Sequence, residues 1–348
     1  MNTNNYYSEE VHGAYHTFDL GDFVLEQGGT IRGCKLAYTT LGELNAAKDN
    51  VILVPTWYSG SHQIIEQVYI GKGRALDPEK YFIVIINQLG NGLSSSPHEA
   101  SFPQQGTNFP EIQISDDVRA QYQLLTEEFS IDQLALVVGG SMGAQQTYEW
   151  AIRYPDMVKR AAPIAGTAKV TPHNFLFTQL MIDSITSDPA WNKGWYTHST
   201  DVHLGLSRLA KLFAMMGWSH QFFKQERWLA LGFSSMADFI TGFMVGYFGL
   251  MDPNNLLAMA KKWQRGDVSH GRDGDISEVV AQIKAKIYVL AIEGDLMFPP
   301  SDCEAEHNCI PGSEYRVIRT TDGHFALFGT DSNYLDQVDK YLKELLST

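Results

Sequence analysis

Three short runs in the first half of the chain are almost wholly apolar: Val51-Ile-Leu-Val54, Tyr81-Phe-Ile-Val-Ile-Ile86 and Leu134-Ala-Leu-Val-Val138. A strand without a polar side must be covered on both faces, which is the condition of a parallel sheet sandwiched between helices. The stretch from Ile114 to Leu125 opens with Ser115 and two aspartates, then repeats apolar residues at helical spacing, so it predicts a crossover helix. A second helix is expected from Ser141 to Arg153, ending before Tyr154-Pro155, with Trp150 and Ala151 on its buried side. His16 to Glu26 and Cys34 to Thr40 predict an opening antiparallel pair around the turn at Gly28-Gly29. Further strands are expected at Lys286 to Ile292 and Glu314 to Arg319, followed by a terminal amphipathic helix from Tyr334 to Leu346.

The pattern changes between Ala168 and about Asp275, where five of the seven tryptophans and half of the 18 phenylalanines fall and no strand signal is clear. The expected organisation is therefore one α/β core, residues 1–168 and 276–348, interrupted by an all-helical lid at 169–275. Phe239 to Met251 is the longest uncharged apolar run, too short to cross about 30 Å of hydrocarbon, and it reads as a buried or interface helix.

Forty acidic residues against 26 basic ones set a formal charge of −14, which repels phosphate backbones and anionic lipid surfaces. Nucleic acid and membrane partners are excluded on that balance. The first residues lack a basic segment followed by an apolar one, so no secretory signal is read and a cytoplasmic location is expected. Cys34, Cys303 and Cys309 match no metal-ligand spacing and are expected as free thiols, with no metal.

The most specific motif is Gly139-Gly140-Ser141-Met142-Gly143, a G-x-S-x-G between a predicted strand and a predicted helix. A bare match of this kind is often only a glycine-rich turn. In this context it places the Ser141 hydroxyl at the apex of a strained turn, with the N–H groups of the next helix aimed at the same point. A serine hydroxyl needs a histidine base, and the histidine needs a carboxylate to hold its tautomer. In this strand–turn–helix context the chain order is serine, acid, histidine. Only His307 and His324 follow the lid, and His324 lies on a glycine-turned loop after the last predicted strand, whereas His307 lies in a polar stretch like a helix surface. The strand Lys286 to Ile292 leads into Glu293-Gly-Asp295, where Asp295 is the first choice of acid and Glu293 the reserve. Asp322 is too close in sequence to His324. An oxyanion would be held by the N–H of Met142 and by a second N–H from the loop Pro55 to His62, contributed by Tyr58 or Trp57. These aromatics could equally be packing residues, and His62 could face the site or be structural.

These segments resemble the homoserine O-acetyltransferase group of α/β-hydrolase fold proteins. The likeness is carried by Phe109-Pro-Glu-Ile, Asp117-Val-Arg-Ala-Gln121, the glycine-flanked Ser141, Glu149-Trp-Ala-Ile-Arg-Tyr-Pro155, Asp188-Pro-Ala-Trp191, Gly194-Trp-Tyr196, Phe298-Pro-Pro300 and Gly323-His324. It implies Ser141 as nucleophile, Asp295 and His324 as its partners, Tyr58 and Met142 at the oxyanion, and often a homodimer formed through lid helices. The chain departs from that pattern where the group carries a His-Ala-Leu-Thr-Gly loop and this sequence has Thr56-Trp-Tyr-Ser-Gly60. The group's lid arginine, which would hold an amino acid carboxylate, has only Arg208 and Lys211 near its expected place, and lysine loses the bidentate fork.

These departures resemble an esterase-like branch acting on small acyl esters. A Trp-, Phe- and Met-rich lid favours an apolar alcohol portion, with Trp57, Arg208 and Lys211 as candidate substrate contacts. The expected function is a serine esterase that needs no bound cofactor. The alternative is an O-acetyltransferase moving an acetyl group from acetyl-CoA to homoserine or another small alcohol. A non-catalytic ligand-binding module is the third reading.

Overall fold

Eight strands build one sheet: β1 (His16–Val24), β2 (Thr30–Leu41), β3 (Val51–Pro55), β4 (Phe82–Ile86), β5 (Leu136–Gly140), β6 (Arg160–Ile164), β7 (Lys286–Ile292) and β8 (Glu314–Ile318). They were located in a computed structural model that describes residues 4–348. Their spatial order is β1-β2-β4-β3-β5-β6-β7-β8. β1 and β2, and β2 and β4, run antiparallel; every pairing from β4 onward is parallel.

The apolar runs are explained by burial on both faces. Val51 and Leu53 of β3 join one core cluster while Ile52 and Val54 join the other. Phe82, Val84 and Ile86 of β4 divide in the same way from Ile83 and Ile85. Each such aliphatic side chain contributes about 1.5–3 kcal/mol relative to an exposed one. The longer helices are α1 (His62–Tyr69), α2 (Ile114–Gln123), α3 (Met142–Arg153), α4 (Pro172–Thr186), α5 (His203–Gly217), α6 (Pro253–Gln264), α7 (Pro300–His307) and α8 (Ser332–Leu346). α1 and α8 bury Ile65, Tyr334, Val338 and Leu342 in one cluster, and α2 and α3 bury Val118, Ala120, Tyr148 and Trp150 in the other.

β6 has no counterpart in the sequence reading. It runs Arg-Ala-Ala-Pro-Ile, with a single β-branched residue and with Pro163 paired opposite Gly139 inside the sheet. Proline in a central strand normally argues against one. Just beyond the strand the chain passes very close to α3, where a Cβ on Gly166 would lie 2.5 Å from Ala144 Cβ. The helix from Ile114 also ends earlier than its pattern predicts, passing at Leu124 into a π-helical turn that runs to Glu128.

The elements between β6 and β7 are all helical. Their two ends are clasped by a short antiparallel contact, in which Val170 N donates to Gly266 O at 2.7 Å and Val268 N donates to Ala168 O at 3.0 Å. The run from Phe239 to Met251 is broken into a helical turn, a π-helical stretch and a last helical turn, with Phe239, Met244, Phe248 and Met251 buried. Among the described residues no helix is long and apolar enough to cross a membrane. Cys34, Cys303 and Cys309 are free thiols.

Candidate active site

Ser141 joins β5 to α3 with φ 56° and ψ −123°, a conformation that costs an ordinary residue about 1–3 kcal/mol. The turn is pinned from both sides: Ser141 N donates to Ile164 O on β6, and Ser141 O accepts from Ala144 N, each at 2.9 Å. Two glycines make it this tight. A Cβ on Gly139 would lie 2.4 Å from Gly143 O, and a Cβ on Gly143 would lie 2.6 Å from Pro55 O.

The C-terminal ends of β7 and β8 bring the partners to this turn, as ligand sites of parallel sheets are built. After β7 the chain turns at Gly294, φ 72°, and Asp295 folds inward while Glu293 stays exposed. Asp295 Oδ1 accepts from Met297 N at 2.8 Å and Phe298 N at 2.9 Å, which leaves Oδ2 to accept from His324 Nδ1 at 2.7 Å. A carboxylate accepts only, so Nδ1 carries the proton and Nε2 is left as acceptor for Ser141 Oγ–H at 3.0 Å. Ser141 and His324 are each only 4% exposed and Asp295 2%, so the relay is shielded from bulk water.

The other candidates lie elsewhere. His307 ends α7 and bonds Ser313 Oγ through Nδ1 at 2.6 Å. Asp322 accepts from Thr330 Oγ1 at 2.7 Å and faces Arg227 Nε at 3.4 Å. His62 is buried at the start of α1, where its Nδ1 accepts from Asn87 Nδ2 at 3.1 Å, and it is structural.

Met142 N opens α3 and therefore has no intrahelical acceptor. The end of β3 is held beside it, with Thr56 O accepting from Gln146 Nε2 at 3.1 Å. The next residues diverge. Tyr58 turns towards the helical segment: its hydroxyl donates to Leu256 O on α6 at 2.9 Å, and its ring stacks on Phe213 of α5 at 5.4 Å. Trp57 turns the other way and packs edge-on to Tyr69 and Phe328. The structure thus corrects the expectation of a substrate contact from Trp57, whose indole is a core residue of the opposite cluster.

Aromatic rings link Tyr58 to His324. Tyr58 neighbours Trp263 at 6.0 Å, Trp263 stacks on Phe298 at 5.4 Å, and Phe298 lies 5.8 Å from the His324 ring. On the other side Phe213 stacks with Phe325, the residue after His324, at 6.4 Å. The helical segment presses directly on the histidine loop, since a Cβ on Gly217 would lie 2.4 Å from the Phe325 ring and Ser219 Oγ donates to Thr321 O. Phe177, Phe213, Trp263 and Phe325 escaped the site reading because each is one aromatic among many, and only the fold shows which face inward.

Arg208 and Lys211 are the second correction. Both are exposed on α5, on the side away from Leu209, Ala210 and Phe213, and Arg208 Nε donates to Ser184 O of α4 at 3.3 Å. Neither makes a hydrogen bond or ion pair with Ser141, Asp295 or His324. The buried cation is Lys262 on α6, which donates to Asp117 Oδ2 at 2.5 Å and to Leu89 O at 2.8 Å. Desolvation pushes the Asp117 carboxyl up and the Lys262 ammonium down, while each group's charge opposes the shift in the other. Burial also pushes the Cys303 thiol far above its ordinary range, so it offers no competing thiolate. Among the described residues no group of three or more His, Cys, Asp or Glu side chains is placed to hold a metal ion.

Comparison with known proteins gives a consistent picture. The model of the alpha/beta hydrolase fold family matches residues 49–330. An ethyl acetate hydrolase of Pseudomonas veronii is 56% identical over 345 residues, covering 99% of each chain. The crystal structure of an acetylester hydrolase from Corynebacterium glutamicum superposes with a TM-score of 0.98 at 51% identity, over 100% of both chains. A homoserine O-acetyltransferase of Trichormus variabilis is 30% identical over 100% of this chain and 98% of its own length.

Proposed function

This chain belongs to the alpha/beta hydrolase fold family, in the branch that groups acetyl-ester hydrolases with homoserine O-acetyltransferases, and we propose that it cleaves small acetyl esters through an acyl-enzyme on Ser141. That it is an ester hydrolase follows from its close relatives; the residue roles and the substrate are our reading.

His324 Nε2, 3.0 Å from Ser141 Oγ, takes the hydroxyl proton as Oγ attacks the ester carbonyl. Asp295 keeps the imidazole in the required tautomer and stabilises the imidazolium through the 2.7 Å bond. The N–H groups of Met142 and Tyr58 hold the tetrahedral oxyanion. Collapse breaks the ester C–O bond, and the alcohol leaves with the proton from His324. Water then enters, His324 accepts its proton as the oxygen attacks the acetyl carbonyl, and collapse breaks the acyl–Oγ bond while His324 returns the proton to Ser141 Oγ, releasing acetate.

The observation that carries this reading over transfer to homoserine is the position of Arg208 and Lys211. The two cations offered for an amino acid carboxylate sit on the outer face of α5, while the rings between Tyr58 and His324 suit a small apolar ester. The helical segment, residues 169–275, acts as the lid. Two copies pair through its outer face, where Phe175, Leu176 and Leu180 of α4 are exposed. Free thiols at Cys34, Cys303 and Cys309 support a cytoplasmic setting.

The test runs ethyl acetate hydrolysis beside acetyl-CoA with L-homoserine, on one preparation. Free acetate and ethanol without O-acetylhomoserine is the expected result. Efficient formation of O-acetylhomoserine would overturn the choice of water as acceptor.

A further inference from the structure

A cavity of about 360 Å³ lies apart from the Ser141 relay, between α6, the end of α4, the turn at 189–194 and the segment 106–112. Its size falls in the range of small-molecule sites. Phe109, Ile182, Trp191 and Leu257 supply apolar walls. Lys193 and Lys261 stand at its edge, both exposed, and neither has an ion-pair partner among the described residues. Arg265 is already neutralised by Glu111 at 2.5 Å.

Two polar atoms of the lining residues are buried without a hydrogen-bond partner: Trp191 Nε1 and Asn254 Oδ1, the latter on a residue only 6% exposed. Both atoms are covered by protein rather than open to the cavity, so the walls and the lysines, not these atoms, would recognise a ligand there. The charge pattern is unusual for a chain of net charge −14: Lys193, Lys261 and Arg265 face a single carboxylate, Glu111, which pairs with Arg265 and also feels the charge of Lys261, so the cavity keeps an excess of positive charge. A neutral apolar ligand would leave that charge unused, and a cation would be repelled.

We propose that this cavity binds an amphipathic carboxylate, with an alkyl or aryl tail between Ile182, Trp191 and Leu257 and the carboxylate between Lys193 and Lys261. The ligand would rest on the outer side of α6, the helix whose inner side carries Trp263 against Phe298 and accepts the Tyr58 hydroxyl at Leu256 O. The inference does not depend on the hydrolytic reading, since none of the residues lining the cavity belongs to the Ser141 relay.

The experiment titrates octanoate, octan-1-ol and octylamine into the Ser141→Ala protein by calorimetry, so that no probe is turned over. We expect octanoate to saturate one site and octylamine to bind at least tenfold more weakly. Lys193→Glu with Lys261→Glu should weaken octanoate by about tenfold or more, equivalent to about 1.4 kcal/mol. Ala258→Phe, which fills the cavity from α6, should abolish binding while ester hydrolysis in the Ser141-containing chain persists. Equal binding of the three probes, binding that survives both the charge reversal and Ala258→Phe, or no saturable binding at all would each overturn the proposal; the last would mean a cavity holding water only.

Discussion

Lys262 and Asp117 form an ion pair at 2.5 Å in which neither side chain keeps any exposed surface, and the pair ties α6 of the helical segment to α2 of the sheet layer. Asp117 Oδ1 also accepts from Leu89 N at 2.8 Å, so one carboxylate organises a loop beside the sheet and a helix of the helical segment. Removing one partner strands the other charge in the interior.

Lys262→Met should therefore destabilise the protein by about 3–5 kcal/mol. The double variant Lys262→Met with Asp117→Leu should recover most of that loss, because no charge is left buried. Denaturant unfolding of the three proteins checks this; equal stability of Lys262→Met and wild type would remove the pair from the account.

Asp295 and Glu293 are two residues apart and have opposite environments, one buried against His324 and the other exposed. Asp295→Asn should lower kcat by roughly four orders of magnitude, since an amide cannot impose the same imidazole tautomer. Glu293→Gln should stay within about twofold of wild type, as an exposed change away from the relay. Steady-state hydrolysis of an acetate ester reads both.

Gly143 has no room for a methyl group, with Pro55 O 2.6 Å from where its Cβ would stand. Gly143→Ala should cost about 1–3 kcal/mol of stability by overpacking. It should also lower kcat more than it raises KM, because α3 and the loop after β3 carry the proposed oxyanion donors, Met142 N and Tyr58 N, and would be pushed apart. A variant with wild-type kcat would show that the donors are placed by something else.

His12 and His98 are both pushed down from 6.5 to about 4 by desolvation. Between those values the unfolded chain binds protons that the folded chain refuses, so stability is full above about pH 6.5 and falls as pH drops towards 4. His98→Gln, which keeps an acceptor for Asn255 Nδ2, should flatten part of that decline in melting temperature. An unchanged pH profile in this variant would exclude His98 as a contributor.

The sheet was readable wherever a strand is buried on both faces by large side chains, as in β3, β4 and β7, because such burial leaves no polar position. β6 was not, since Arg-Ala-Ala-Pro-Ile has a single β-branched residue and no periodicity to detect. Chain order and strand ends together pointed to Ser141, Asp295 and His324 as a candidate set, and the fold brings these three side chains within hydrogen-bond distance. Side-chain direction was not readable: Trp57 and Tyr58 are neighbours that enter opposite clusters, and Arg208 and Lys211 face outward from a helix whose other side is core. Asp117 stood in a recognisable motif, but its partner lies 145 residues away and nothing local announces it.

In the proposed reaction the Ser141 hydroxyl, deprotonated by His324, performs the ester cleavage. Turnover of an acetate ester by Ser141→Ala, compared with wild type on protein shown to be folded by its melting transition, tests it most directly. A loss of several orders of magnitude in kcat is expected, roughly the cost of losing a triad member in other serine hydrolases, with little change in melting temperature. Hydrolysis near the wild-type rate by a folded Ser141→Ala protein would contradict it.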